Sequence, residues 1–163
     1  QLAVGKIATG DTASAISQLE SAVALGQDVV QADVLLVLSY LKKKEFDKAI
    51  AASEALEQRM VDSPIPYNLT GLALLAQRQY AAAGERFHLA LEKDPQFVVA
   101  QMNLARLELA QGKRDAAAQA YEKVLEMNPG HLGAIMGLSA QARAQCDMAE
   151  AESWLQRDNQ ANP

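Results

Sequence analysis

The side chains that could do chemistry in this sequence are few and stand far apart. His88 and His131 have no cysteine or second histidine near them at the spacing of metal ligands. The single cysteine, Cys146, can form neither an intramolecular disulfide nor a paired-cysteine zinc site. The nearest acidic pairs have the spacing of solvated helix faces: Glu54 with Glu57, and Glu150 with Glu152. Together these side chains predict no catalytic residue and no metal site.

Several classes of function are disfavoured by what the sequence lacks. It contains no glycine-rich phosphate loop, no GxSxG nucleophile elbow and no HExxH zinc helix. Its net charge of -5 offers no basic excess to displace counterions from phosphates, so nucleic acid is not expected as a partner. We therefore predict a protein that is not an enzyme, needs no cofactor and binds a protein or peptide.

Membrane insertion is not predicted either. No apolar run approaches the roughly 18 to 20 residues that cross a bilayer. The sequence begins at Gln1 without a basic segment followed by an apolar one, as a signal peptide would have. We expect the chain to be a piece of a longer protein whose targeting signal lies elsewhere, so the residues leave its location open.

A repeat runs through the whole sequence. The pairs Asp94-Pro95, Asn128-Pro129 and Asn162-Pro163 recur at an interval of 34 residues. The same interval connects an unbroken column of alanines: Ala15, Ala49, Ala83, Ala117 and Ala151. A column of mostly large residues follows the alanines: Leu19, Ser53, Phe87, Tyr121 and Leu155. A turn column precedes them: Gly10, Lys44, Arg78, Gly112 and Cys146.

Each repeat is predicted to contain two amphipathic helices joined by a short turn, because apolar residues recur at three- and four-residue spacing. In the third repeat we expect these helices at residues 66–77 and 80–93. Ser63 before Pro64 favours a helix start, since a serine hydroxyl can accept from the first backbone amides. The alanines are expected where the two helices cross, because a larger side chain there would overpack the contact.

This pattern resembles the tetratricopeptide repeat family, whose units are helix-turn-helix motifs of 34 residues. The third repeat carries the family signature: Tyr67, Gly71, Leu74, Ala83, Phe87, Ala90 and Pro95. Thr70 departs from it, because the family prefers leucine at that place. The resemblance implies an all-α fold, a right-handed α-solenoid of about five helix-turn-helix units in one array. The expected units are residues 1–29, 30–63, 64–97, 98–131 and 132–163.

The resemblance also implies that the first helix of each unit lines a concave groove that binds peptides. The family's groove positions fall on these residues: Val4, Ile7, Val34, Leu35, Leu38, Leu41, Asn68, Leu69, Leu72, Leu75, Met102, Asn103, Arg106, Leu109, Met136, Ala140 and Arg143. The Lys-Asn-Arg clamp of chaperone-binding members is incomplete, which disfavours a receptor for chaperone tails. An apolar lining with Asn103 and Arg106 as a polar island suits an amphipathic helix or an apolar extended segment.

Two alternatives stand beside groove binding. Several of the groove leucines could instead be core residues between adjacent repeats. The repeats could also pack mainly against other copies of the chain, which would make the array a self-assembly segment without a peptide ligand. Weak self-association is the partner prediction that belongs to this second alternative.

A second resemblance rests on residues outside the repeat signature. The stretches ADVLLVLSYLKKKEFDKAIAASEALE (residues 32–57) and PIPYNLTGLALLAQRQYAAA (residues 64–83) are similar to tetratricopeptide lipoproteins of bacterial exopolysaccharide and PEP-CTERM protein-sorting systems. This resemblance implies a scaffold in polysaccharide biosynthesis, export or sorting. It also implies a periplasmic or envelope-attached location.

Overall fold

The computed structural model describes residues 16–21 and 30–161, and over these residues the chain is helical with short turns and no strand. Residues 16–21 are helical. The helices that follow are α1 (Val30–Lys43), α2 (Phe46–Arg59), α3 (Pro64–Ala76), α4 (Tyr80–Lys93), α5 (Val98–Ala110), α6 (Arg114–Met127), α7 (Leu132–Ala144) and α8 (Met148–Ala161). The predicted helix at 80–93 is confirmed as α4, whereas the one predicted at 66–77 begins earlier, at Pro64.

The chain forms two compact units, an N-terminal unit, Gln1–Lys93, and a C-terminal unit, Asp94–Pro163. In the N-terminal unit α1 packs on α2, α2 on α3 and α3 on α4, and in the C-terminal unit α5 to α8 pack in the same consecutive way. The first helices of the hairpins are therefore α1, α3, α5 and α7, and the second helices are α2, α4, α6 and α8. The arrangement of all five predicted repeats in one array stays a prediction.

Helix α3 begins where the sequence predicts a cap. Ser63 Oγ accepts a hydrogen bond from the Ile65 amide at 3.3 Å, and Pro64 follows as the first helical residue. Proline fits this place because its fixed φ suits the helix and the first amide of a helix has no intrahelical partner. The cap thus separates the second hairpin from the third.

The turn column adopts a left-handed backbone conformation in each described hairpin. These residues have φ between 60° and 76°: Lys44, Arg78, Gly112 and Cys146. The conformation lets an amide beyond the helix bond back to its last turn, as when Gln79 N donates to the Leu74 carbonyl oxygen at 2.9 Å. Only glycine enters it without steric cost, so three of the four turns carry a small conformational penalty.

Adding a glycine to one of these turns and removing the glycine from another should change the stability in opposite directions. Arg78→Gly is expected to stabilise the chain by up to about 1 kcal/mol, because glycine has no Cβ to clash in this conformation. Gly112→Ala should destabilise it by about 1 kcal/mol, although no heavy atom lies within 4 Å of the added methyl group. Thermal unfolding followed by circular dichroism measures both changes. A lower midpoint for Arg78→Gly would contradict this explanation.

The alanine column is buried, as predicted for close crossings between the two helices of a hairpin. Ala49, Ala83 and Ala117 are fully buried, and Ala151 is 2% exposed. Ala15 lies outside the described residues. The column therefore has a packing role in the four hairpins from α1 to α8.

The larger of two facing core residues lies on the second helix in one hairpin and on the first helix in the hairpin before it. In α3 and α4, Phe87 is fully buried beside Gly71, and a Cβ at Gly71 would lie 2.5 Å from Phe87 Cε1. At the equivalent positions of α1 and α2, 34 residues earlier, stand Val37 and Ser53, which are also fully buried. A small residue on one helix is thus matched with a larger one on the other, which preserves dense packing.

A polar network connects α2, α3 and α4 inside the N-terminal unit. Thr70 Oγ1 lies 2.8 Å from Ser53 Oγ and 3.1 Å from Glu57 Oε1. Arg86 Nη1 donates to both carboxylate oxygens of Glu57, at 3.0 and 2.9 Å, and Arg86 Nη2 donates to Glu54 Oε1 at 3.4 Å. The prediction that both acidic residues lie on a solvated helix face holds for Glu54, whose side chain is 50% exposed, and is wrong for Glu57, whose side chain is 12% exposed. Thr70 can replace the family's leucine because its buried hydroxyl is hydrogen-bonded.

Tyr40 links α1 to the helical residues 16–21. Its hydroxyl donates a hydrogen bond to Glu20 Oε1. Burial of the phenol and this bond to a carboxylate raise the pKa of Tyr40 to about 12, since both favour its neutral form. Tyr40 therefore keeps its proton, and this contact, throughout the physiological pH range.

Candidate partner-binding site

The first-helix face of the N-terminal unit comprises the outward side of α1 and α3, where the predicted groove residues differ widely in exposure. Leu38 is 43% exposed, whereas Asn68 is buried. Four other predicted residues are partly buried and pack against the hydrophobic core: Val34, Leu35, Leu41 and Leu72. Leu69 is a buried residue of that core, which agrees with the alternative that some groove leucines are core residues between repeats. Val4 and Ile7 lie outside the described residues.

An open apolar depression with a volume of about 450 Å³ lies on this face. Val34 and Leu35, both predicted groove residues, line it together with Val30, Gln31 and Ile65, which the sequence analysis missed. Residues spaced by three or four positions share one side of a helix. Extending the predicted groove positions by one turn toward the start of each helix would have found the missing residues.

The first-helix face of the C-terminal unit comprises the outward side of α5 and α7 and is more open. Met136 is 56% exposed and Arg106 is also exposed. Met102 is partly buried against the core of this unit, and Asn103 is buried. Val99, which the sequence analysis missed, is half exposed. Leu109 and Arg143 are exposed as well.

Side chains from α5 and α6 reach α7 at two glycines. A Cβ at Gly133 would lie 3.2 Å from Met102 Cε, and one at Gly137 would lie 2.6 Å from Tyr121 Cζ. Burial raises the pKa of Tyr121, and the nearby guanidinium of Arg106 opposes this rise. The Arg106 guanidinium therefore lies near the Tyr121 phenol, whose ring contacts α7 at Gly137.

Charges are unevenly divided between the two helices of each hairpin. Each second helix carries at least two acidic residues, whereas the four first helices together carry two, Asp33 and Glu108. Asp33 is buried and accepts from Arg59 Nη1 at 2.6 Å, and Glu108 lies 3.5 Å from Lys113 Nζ. The exposed charged residues of the first helices are therefore all cations: Lys42, Lys43, Arg106 and Arg143.

The side chains considered for catalysis or metal binding are not brought together. His131 Nδ1 accepts from the Ala134 amide at 3.2 Å and so caps α7. His88 and Cys146 are exposed. Among the described residues, no three His, Cys, Asp or Glu side chains are placed to hold a metal ion. None of the helices in this part of the chain is both long and apolar enough to cross a membrane.

Helical hairpins with a left-handed turn and a buried alanine at each crossing define a class of α-helical repeat protein. Two family models described as tetratricopeptide repeat match the chain, one over residues 1–63 and 68–131 and the other over residues 108–163. The chain therefore belongs to the tetratricopeptide repeat family. This membership confirms the predicted fold class, an α-solenoid of tetratricopeptide helix-turn-helix units.

Solved structures share this fold at low sequence identity. A thermophilic tetratricopeptide protein of Thermus thermophilus is 17% identical with a TM-score of 0.77, covering 99% of this chain and 89% of that one. The protein pilF of Pseudomonas aeruginosa is 19% identical with a TM-score of 0.79, covering 100% and 74%. Such identities show the fold alone.

One relative in sequence has a much longer chain. The cellulose synthase 1 operon protein C of Komagataeibacter xylinus is 31% identical over 120 residues, which are 71% of this chain and 9% of that protein. The chain thus spans a small part of that relative.

Proposed function

We propose that this chain is a non-enzymatic scaffold that binds a peptide or helix of a partner protein along its first helices. The tetratricopeptide fold supports a protein-interaction role in general. The observation that carries the finer proposal is the exposure of large apolar side chains on these helices, above all Leu38 and Met136. A partner that covers them gains about 25 cal/mol for each Å² of apolar surface removed from water.

The shape and charge of the two faces support a protein partner. The apolar depression at Val34, Leu35 and Ile65 suits an apolar side chain of a bound segment. The flexible Met102 and Met136 suit partners of varied shape. The net charge of -5 supports a protein ligand over nucleic acid.

The pathway that we propose is polysaccharide biosynthesis or export, or protein sorting, at a bacterial envelope. The similarity to a cellulose synthase operon protein supports the polysaccharide part over 120 residues. Crosslinking mass spectrometry on the full-length protein in its own cells tests this proposal. Recovery of partners unrelated to the envelope would count against it.

Self-association is the second candidate function. It is supported by Met148 and Leu155 on α8, which are large, apolar and exposed. Light scattering across a concentration series would reveal such association. A strict monomer at high concentration would remove this candidate.

Charged substitutions on the first-helix faces should weaken binding of the partner that crosslinking recovers. Leu38→Asp and Met136→Asp are each expected to lower its affinity about tenfold, because the carboxylate would lose hydration against an apolar ligand. Both side chains are exposed, so the variants should fold like the parent. His88→Asp, on the exposed side of α4, is the matched control and should bind normally. Calorimetry gives the affinity, circular dichroism gives the folding, and unchanged affinity in folded variants would refute the proposal.

A further inference from the structure

Two arginines stand among the exposed apolar residues on the first-helix face of the C-terminal unit. Arg106 lies on α5 and Arg143 on α7, and both are exposed. Around them on the same helices are Val99, Leu109 and Met136, which are also exposed. A face of this composition presents apolar area for packing and guanidinium groups for directional bonds.

Among the described residues, Arg59 and Arg86 pair with carboxylates, whereas Arg106 and Arg143 form no such ion pair. Arg59 lies 2.6 Å from Asp33, and Arg86 lies 2.9 Å from Glu57. Within residues 30–156, where side chains are described, no carboxylate lies within 4.0 Å of Arg106 or Arg143. The positive charge of this face is therefore available to an approaching molecule.

The positions of the two arginines are set by different features of the fold. Arg106 Nη1 donates to Asn103 Oδ1 at 3.3 Å, and Asn103 is itself buried, which restricts the orientation of the guanidinium. The Tyr121 ring meets α7 at Gly137, and the Arg106 guanidinium lies close enough to the phenol to lower the pKa of Tyr121 against the effect of burial. Arg143 follows Gly137 on α7 by a rise of about 9 Å along the helix axis. The face thus offers two cations, one on each of the two first helices.

The charges of the second helices differ from those of the first helices, and this difference supports an anionic ligand on the first-helix face. The chain carries 20 acidic against 15 basic residues, and the acidic side chains are concentrated on the second helices. The second helices together carry 11 acidic and 7 basic residues, whereas the first helices carry 2 acidic and 4 basic ones, so the local charge favours an acidic ligand on the first-helix face. The charge distribution therefore selects both the ligand and the side of the hairpins that it meets.

We propose that the C-terminal unit binds an acidic amphipathic segment of another protein. The apolar side chains of the segment would pack against Val99, Leu109 and Met136, and its carboxylates would bind Arg106 and Arg143. This inference rests on the proposed scaffold function and specifies its ligand. Each arginine would face one acidic side chain of the bound segment. Arginine and carboxylate form charge-assisted, directional hydrogen bonds, which would fix the register of the segment.

Selection from a library of random 12-residue peptides displayed on phage tests the proposal with the whole chain as target. Enriched peptides are expected to combine apolar residues with an excess of Asp and Glu over Lys and Arg. The double variant Arg106→Gln with Arg143→Gln should bind them about thirtyfold more weakly, since two charge-assisted bonds are lost. Arg114→Gln, which removes an exposed arginine from a second helix, is the control and should bind normally.

The outcomes separate this inference from the function on which it rests. Enriched peptides without acidic residues that bind the double variant normally would overturn the acidic-ligand inference and leave the scaffold proposal intact. If acidic peptides are enriched but bind the double arginine variant and Met136→Asp as tightly as the parent, the ligand lies elsewhere on the chain. That result would overturn the acidic-ligand inference too. Loss of self-association in the double variant would identify the occupant as a second copy and overturn the inference of a separate partner. If no peptide is enriched, the scaffold proposal fails and this inference fails with it.

Discussion

Phe87→Ala is expected to lower the free energy of unfolding by about 3 to 5 kcal/mol. The ring is fully buried in the hairpin of α3 and α4 and packs against the backbone at Gly71. Removing it leaves a cavity that glycine on the facing helix cannot fill, so the transfer free energy of the ring is lost and the cost of the cavity is added. Urea denaturation followed by circular dichroism measures the change.

The neighbouring residue on α4 provides the control for this substitution. His88 is exposed, and His88→Ala should change the stability by less than about 0.5 kcal/mol. If Phe87→Ala costs no more than His88→Ala, the buried contact between the ring and Gly71 is wrong. The register of the alanine column, which fixes the position of Phe87 on α4, would then be wrong as well.

Arg86→Met should destabilise the chain by about 2 to 3 kcal/mol. The substitution removes the cation that pairs with Glu57 and Glu54, while Glu57 stays with only 12% of its side chain exposed. Arg86 itself is 28% exposed, so solvent screens part of the interaction, and the expected loss is below that of a fully buried pair. Chemical denaturation again gives the measurement.

A second variant shows whether the loss comes from the unpaired carboxylate. Adding Glu57→Leu to Arg86→Met should recover most of the stability, because an apolar pair replaces the stranded charge. Lys93→Met is the control, since Lys93 lies 4.0 Å from the fully exposed Asp62 and should contribute little. A double variant as unstable as the single one would show that the arginine acts through packing of its stem instead.

The fold could be predicted because the same residue pattern recurs in each repeat. The alanines at 49, 83 and 117 and the turn residues at 44, 78 and 112 agree with one another at one interval, so local ambiguities cancel. The network of Ser53, Thr70, Glu57 and Arg86 could not be predicted in this way. Its members come from three helices, and the three other than Ser53 fall in none of the columns to which Ser53 and the alanines belong, so only their packing brings them together.

The exposure of the candidate site residues could not be predicted from the sequence residue by residue. The family's groove positions include Leu38 and Leu41 on α1 and Leu72 on α3, yet the apolar stripe of a stacked helix has an inner edge on the core and an outer edge in solvent. Leu38 lies on the outer edge and the other two pack toward the core. Burial of Asn68 and Asn103 likewise depends on the neighbouring helices, which a single-helix pattern does not contain.

The exchange of large and small residues between hairpins has a consequence for recombination of such repeats. A chimera that replaces α2 by α4 would bring the bulk of Phe87 to a hairpin where Val37, not glycine, stands on the first helix. Moving α3 and α4 together keeps Gly71 with Phe87 but separates Thr70 from Ser53 on α2. Duplication or shuffling of repeats in this chain is therefore constrained in two ways. Facing residues must fit sterically within a hairpin, and a hydrogen bond must be kept between one hairpin and the next.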